Sequence, residues 1–236
     1  MEKKKKRAQG FTLIEMIFVL AIILTLIAII TPLAMDKLSQ SKTAKAQADT
    51  DAIAAAVTGF FSDLGNFPNC DSADCDPLNT AANNLRYLAV GTGLGDLTLQ
   101  LPADTGALWS LAGDTSGTPA SNNLFNHLAI NDPNAAGGSD QAGVDYRTTG
   151  NARWRGPYIT KLGVDPWGAA YLVHVGAMQS TGCPVNSTGA TPLCTVPLAG
   201  ARGWILSAGP DGNLDTGPTA TVLGNDDIGY IFCTNC

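Results

Sequence analysis

Histidine is scarce in this chain: the 236 residues include only His127 and His174. An enzyme needs a nucleophile, a base or a set of metal ligands at characteristic spacings. The sequence has no Gly-rich phosphate loop, no paired-histidine metal motif and no Gly-x-Ser-x-Gly elbow. His127 lies in a short amphipathic segment and His174 in an apolar run, where a lone histidine is usually a packed or surface residue. The sequence therefore predicts that the protein is not an enzyme.

Charge is also sparse, and it is unevenly placed. The formal net charge is −6, although Lys3 to Arg7 are all basic and only Glu2 opposes them. Removing this N-terminal balance of +4 leaves −10 on the rest of the chain. An acidic body repels phosphate backbones and has no electrostatic footprint for DNA or RNA. Nucleic acid is therefore not a predicted partner.

A long apolar segment follows the basic N-terminus. From Phe11 to Met35 only Glu15 is ionisable, and about 20 apolar helical residues span the hydrocarbon core of a bilayer. No small-x-small cleavage site follows the segment, and the chain continues with helix-forming residues. The segment should therefore stay in the mature protein. The positive-inside bias keeps the basic residues in the cytoplasm. Everything after Met35 is then predicted to be extracytoplasmic.

The predicted fold class is α+β, a long N-terminal transmembrane and amphipathic helix packed on a small antiparallel β-sheet. Amphipathic spacing extends the helix through residues 36–64, and Gly65 with Pro68 ends it. Residues 65–236 form the predicted globular domain, with irregular insertions at 69–150 and 176–201. The first insertion contains two short helical candidates, Thr80 to Val90 and Ser121 to Ile130. Three apolar runs predict strands: Ala170 to Val175, Gly203 to Ala208 and Ile228 to Cys233.

Six cysteines form an even set, which predicts disulfides in an exported chain. Six allow 15 connectivities. Their spacing favours three local pairs, namely Cys70 with Cys75, Cys183 with Cys194, and Cys233 with Cys236. The alternative for the last pair is a redox motif, which normally needs a helix N-terminus to stabilise the thiolate. Here the pair follows an apolar run, so a structural disulfide is favoured.

The segment Gly10-Phe11-Thr12-Leu13-Ile14-Glu15, behind a short basic leader, resembles the type IV prepilin signature. The resemblance implies that a prepilin peptidase cuts after Gly10, removes residues 1–10 as a leader and methylates Phe11. Pro32 also stands where many type IV pilins kink or melt their helix. The resemblance further implies storage in the inner membrane with the domain in the periplasm.

Glu15 is the ionisable group inside the apolar span. A carboxylate at bilayer depth costs on the order of 2.5 to 3.5 kcal/mol on insertion scales, so it needs a partner or an interfacial position. In a filament the free amino group of Phe11 on a neighbouring subunit would be such a partner. The alternative is that Glu15 only reaches to the cytoplasmic headgroups. The surrounding motif favours the inter-subunit role.

Further blocks are similar to major pseudopilins of type II secretion systems: Phe60 to Pro68, Trp154 to Ile159, Asp165 to Gly168, and Ser207 to Gly212. Both insertions depart from that family. Without the resemblance, Trp154 and Trp167 would be interpreted as core or interface aromatics.

An acidic loop is predicted between the last two strands. Oxygen ligands suit calcium, and the loop carries Asp211, Asp215, Asp226 and Asp227. It is not an EF-hand, because Gly217 is one position late and Val222 stands in place of the bidentate glutamate. The resemblance implies calcium in this loop, with Asp226 and Asp227 as the strongest ligand candidates and Asp211 and Asp215 as weaker ones. The alternative is that these acids are solvated turn residues.

The sequence thus predicts a structural subunit that polymerises through its N-terminal helix into a pseudopilus or type IV pilus-like filament and supports protein secretion. The partners implied by the resemblance are further copies of the chain, minor pilins or pseudopilins, prepilin peptidase and the inner-membrane assembly platform. A surface pilin for adhesion, motility or DNA uptake is the first alternative. An anchored monomeric binding protein, for which Glu15 is dispensable, is the second.

Overall fold

The fold is described by a computed structural model that covers residues 10–68, 70, 85, 87–90, 101–102, 122–133, 145–161, 163–175 and 202–233. The chain divides into two compact units, Met1–Lys42 and Thr43–Cys236. In chain order the described elements are helix α1 (Leu13–Leu64), strand β1 (Tyr87–Ala89), a short π-helix (Asn126–Ile130), β2 (Leu172–His174), β3 (Gly203–Ser207) and β4 (Ile228–Cys233).

Helix α1 ends where the sequence predicted. Gly65 adopts a left-handed conformation with φ of 78°, and its N–H donates to the Phe61 carbonyl at 2.7 Å. This is a glycine C-cap, which satisfies a carbonyl of the last turn. Pro32 lies inside α1, and the residues on both sides of it are helical. The helix does not melt there, and a kink at Pro32 stays a prediction.

The first unit presents its apolar side chains outward. From Phe11 to Leu38 the large hydrophobic residues are exposed. Within the described residues, α1 is long and apolar enough to cross a membrane. An exposed apolar surface of this length is typical of a segment that is buried in a bilayer. The segment therefore fits a membrane anchor.

The second unit contains a four-stranded antiparallel sheet in the order β1-β2-β3-β4. Leu172 pairs with Leu206 across β2 and β3, and Ile205 pairs with Tyr230 across β3 and β4. Gly229 permits the close approach of β3 and β4, because a Cβ at this position would lie 1.9 Å from the Ile205 carbonyl oxygen.

Both faces of the sheet are covered. One face packs on the second half of α1, where Ile53, Val57, Phe60 and Leu64 are buried with sheet residues such as Val173. The other face is covered by the loop between β3 and β4, whose Leu214 and Ala220 pack on Leu172, Trp204 and Leu206. The long helix packed on a small antiparallel sheet confirms the predicted fold class.

The prediction of a helix over Thr80 to Val90 was wrong at its end, because Tyr87–Ala89 is a strand. Tyr87 pairs with His174 and Ala89 with Leu172, and Leu88 and Ala89 are fully buried. Pairing with β2 and burial in the core outweigh a weak local helical pattern. The second candidate is helical from Leu124 to Ile130. Strands β2 and β3 are shorter than predicted, and the insertion at 176–201 and most of 69–150 lie outside the described residues.

Candidate functional site

The start of α1 is organised by Thr12 and Glu15. The Thr12 backbone N–H and hydroxyl donate to Glu15 Oε2 at 2.8 and 2.7 Å, and the Glu15 N–H donates to Thr12 Oγ1 at 3.4 Å. This reciprocal pattern is a capping box, in which two otherwise unpaired N–H groups of the first turn are satisfied. The carboxylate therefore has a local role that the sequence analysis missed, although Thr-x-x-Glu before an apolar run is its recognised signal.

The predicted processing site lies directly before this cap. Phe11 is 77 % exposed, and among the described residues no atom lies within 4 Å of a Cβ built on Gly10. Cleavage between Gly10 and Phe11 stays a prediction. Contact between Glu15 and the amine of a neighbouring subunit remains a prediction, as does the alternative in which Glu15 reaches the headgroups.

The second site lies in the loop between β3 and β4, termed here the acidic loop (residues 208–227). It brings together Asp211, Asp215 and Asp226, each with a carboxylate oxygen within 4.8 Å of the others. Asp211 and Asp215 are exposed and Asp226 is half-buried. Within the described residues no lysine or arginine forms an ion pair with them. Like charges at this separation repel one another.

Asp227 has a different position from the other three. Its Oδ2 accepts hydrogen bonds from the Thr216 N–H at 2.7 Å, the Thr216 hydroxyl at 2.5 Å and the Asp215 N–H at 3.1 Å. Burial raises the pKa of Asp227, which these hydrogen bonds partly oppose. Asp227 thus forms hydrogen bonds within the acidic loop. The weaker candidates Asp211 and Asp215 lie in the cluster with Asp226.

The backbone around the cluster leaves room for these carboxylates. A Cβ on Gly209 would lie 2.3 Å from the Asp226 carbonyl oxygen, and one on Gly224 would lie 2.8 Å from the Asp215 carbonyl oxygen. Asp226 Oδ1 and Asp227 Oδ1 are both buried without a hydrogen-bond partner in the described part of the chain. Buried carboxylate oxygens normally have a partner. These residues fit a hard divalent cation with oxygen ligands.

Asp165 supports the start of the acidic loop, a role that the sequence analysis missed. Its Oδ1 accepts from the N–H groups of Trp167 and Ala169 at 3.0 and 2.8 Å, and its Oδ2 accepts from the Ser207 hydroxyl at 2.6 Å. Asp-Pro-x-Gly is the usual composition of a turn in which aspartate bonds to the following backbone. The bond to Ser207 joins that turn to the residue before the loop.

Tyrosines attach the second half of α1 to the rest of its unit. The Tyr171 hydroxyl donates to Asp49 at 2.7 Å, and the Tyr158 hydroxyl donates to Asp63 at 3.0 Å. Burial raises the pKa of Tyr158 to about 12, so it stays protonated and keeps donating. Trp154 and Trp167 pack against the core, which confirms their structural role.

Both histidines are buried and bonded to other residues. His127 Nδ1 lies 2.7 Å from the Tyr146 hydroxyl, and His174 Nδ1 donates to the Arg202 carbonyl at 3.1 Å. Burial disfavours ionisation of the Tyr146 hydroxyl and raises its pKa, so that the Tyr146 hydroxyl stays neutral. The two histidines therefore fill structural positions.

Of the six cysteines, Cys70 is buried and disulfide-bonded. Cys75, Cys183, Cys194 and Cys236 lie outside the described residues, as does the side chain of Cys233. The local pairing and the redox alternative for the last pair stay predictions.

Residues 5–31 match a family model described as the prokaryotic N-terminal methylation motif. The chain carries a prepilin-type signal. It indicates a type IV pilin-like protein that prepilin peptidase processes and that assembles with other pilins. The match covers the leader and the first part of α1 only. No curated protein and no solved structure matches the chain significantly.

Proposed function

We propose that this pilin-like chain is a structural subunit that polymerises through α1 into a pseudopilus or pilus-like filament supporting protein secretion. The observation that carries the proposal is the methylation motif directly followed by an exposed apolar helix with a single carboxylate near its start. Recovery of the protein in a sheared extracellular filament tests it. A chain that stays monomeric in a membrane with active assembly machinery would instead support the anchored binding protein.

Processing gives the first prediction. The mature protein should begin at Phe11 with a methylated amino group, because the matched N-terminal methylation motif includes Gly10 and Phe11 and the capped helix begins directly after them. Intact-mass analysis of protein from cells with active prepilin peptidase checks this, with a peptidase-deficient strain as the control. A mature chain that begins near Met35, or that keeps its leader in the active strain, would contradict it.

We also propose that the acidic loop binds calcium. Asp211, Asp215 and Asp226 would hold the ion, and Asp227 would keep the loop folded through Thr216. The ion would supply only charge neutralisation there. Because four carboxylates lie in one loop, their repulsion opposes the folded conformation until a cation joins them.

The second prediction is that calcium raises the melting temperature of the soluble unit Thr43–Cys236. That starting residue keeps the buried part of α1, including Ala46 and Ile53. Calcium at 100 times its Kd stabilises by about 2.7 kcal/mol. For a unit of this size that amounts to roughly 5 to 10 °C.

The control for this experiment is a matched acidic residue outside the loop. Asp226→Ala should abolish the calcium response, whereas Asp51→Asn, on the exposed side of α1, should retain it. The same melting temperature for wild type in calcium and in excess chelator would contradict the calcium site.

A further inference from the structure

A cleft of about 310 Å³ lies beside the second half of α1, within the unit Thr43–Cys236. On its helical side it is lined by Lys45, Asp49 and Ala52, which share one face of α1 because they are four and seven positions apart. The segment that precedes β2 forms the other side, and Tyr171 completes the lining. This space is termed here the α1 cleft.

Asp49 is already engaged by contacts within the subunit. Its Oδ2 accepts a hydrogen bond from the Tyr171 hydroxyl at 2.7 Å and lies 3.5 Å from Lys45 Nζ. Burial and the hydrogen bond to Asp49 raise the pKa of Tyr171, so this hydroxyl stays protonated and keeps donating. The carboxylate in the lining is therefore held by a neighbouring cation and a buried donor.

Lys161 is the cation of the α1 cleft that has no such partner. It is exposed, and within the described residues it forms no ion pair. Two ammonium groups and one carboxylate give the described lining a formal charge of +1. Without its basic leader the chain carries −10, so a positively charged cleft stands out from the rest of the molecule. Such a cleft attracts an anionic group.

Apolar side chains stand next to these charges and limit what kind of anion fits. Ile53, Ile159 and Val164 line the same cleft, and Ile53 is buried in the core. One exposed lysine binds an anion only weakly in water, whereas each methylene that leaves water strengthens binding about fourfold.

The size and the donor set of the α1 cleft point in the same direction. Small-molecule sites occupy roughly 300 to 1,000 Å³, so this cleft is at the small end of the range. Among the described residues of its lining there is no arginine, the residue that binds phosphate through two parallel hydrogen bonds. A single carboxylate with a short apolar chain therefore fits better than a phosphate-bearing cofactor.

We propose that the α1 cleft binds a carboxylate group that carries a short apolar chain. Lys161 binds the carboxylate, and the chain lies on Ile53, Ile159 and Val164. The inference is independent of polymerisation, because the cleft is formed by residues of one subunit.

Titration of hexanoate into the full chain in detergent micelles tests this site by methyl NMR. The methyl signals of Ile53 and Ile159 should shift and saturate, whereas Ile231, which packs on the other face of the sheet, should not shift. Butanoate is two methylenes shorter and should bind on the order of fifteenfold more weakly. Shifts confined to isoleucines of the apolar span, such as Ile23, would show only entry into the micelle and would contradict the proposal.

Variants distinguish the α1 cleft from other surfaces. Lys161→Gln should weaken hexanoate binding about fivefold, and Lys161→Arg should retain it. Ala52→Phe places a ring on the cleft face of α1 and should weaken binding at least tenfold. Lys37→Gln is the matched control, because Lys37 is an exposed lysine of α1 outside the lining, and it should bind as wild type does. If Ala52→Phe lowers the melting temperature, the exposed Lys161 variants still decide the result.

The carboxylate can belong to a free short-chain acid or to a glutamate side chain of another polypeptide, and N-acetylglutamate α-amide is the probe for the second source. Tighter binding of hexanoate assigns the free acid, and tighter binding of the glutamate derivative assigns the side chain. Either result supports the site only if Ile53 and Ile159 shift. Equal binding by wild type and Lys161→Gln, or no saturable shift with either probe, would overturn the inference. Absence of filaments would instead count against the proposed function alone.

Discussion

Glu15→Ala should reduce filament yield at least tenfold while the folded subunit accumulates in the membrane. The carboxylate is the single ionisable group in the apolar span, and removing one partner of a desolvated ion pair costs about 3 to 5 kcal/mol. Loss of the cap on Thr12 would by comparison cost only about 1 kcal/mol. Quantifying the subunit in the sheared and membrane fractions measures the effect.

Glu15→Gln separates the two roles of this side chain. Glutamine still accepts the hydrogen bonds from Thr12 and completes the capping box, but it carries no charge for a neighbouring amine. We expect Glu15→Gln to assemble as poorly as Glu15→Ala. If Glu15→Gln assembles normally, Glu15 acts as a helix cap only. If both variants assemble normally, Glu15 is not needed to position or recruit a neighbouring subunit.

Phe60→Ala should lower the free energy of unfolding of the unit Thr43–Cys236 by about 3 to 5 kcal/mol. Phe60 is fully buried, and its ring meets those of Tyr146 and Tyr158 edge-on at 4.8 and 5.6 Å. Truncation leaves a cavity between α1 and the segments that pack on it. Because small domains are stable by only about 5 to 15 kcal/mol, the loss is a large share of the total. Urea denaturation measures it.

The neighbouring Phe61 is the matched control. Its side chain is 41 % exposed and stacks on Phe67 at 4.5 Å, so Phe61→Ala removes a surface contact. An aromatic pair contributes about 0.5 to 1.5 kcal/mol beyond its burial, and the expected loss is well below that for Phe60. Equal losses for the two variants would mean that Phe60 does not hold α1 against the segments that pack on it.

The acidic loop shows how far residue types predict a site. Oxygen-rich composition pointed to this segment, and the structure groups Asp226 with Asp211 and Asp215, whereas calcium binding there stays a proposal. The sequence analysis treated the adjacent Asp226 and Asp227 as equivalent, whereas hydrogen bonds from Thr216 hold the buried Asp227 away from the cluster that contains Asp226. The strand Tyr87–Ala89 was missed for a similar reason, since its pairing partner is more than eighty residues away.

The sequence by itself determined the features that depend on neighbouring residues. These features are the basic leader, the apolar span, the single Glu15 and the helix end at Gly65. Each depends only on the formation of one helix or on its insertion into a bilayer. Tertiary structure alone decided which distant groups meet. It placed Asp211 and Asp215 beside Asp226, joined Asp165 to Ser207 and joined Tyr171 to Asp49. Such contacts depend on how strands and loops pack. Their free energy is determined by the packing of the whole domain and cannot be inferred from one segment.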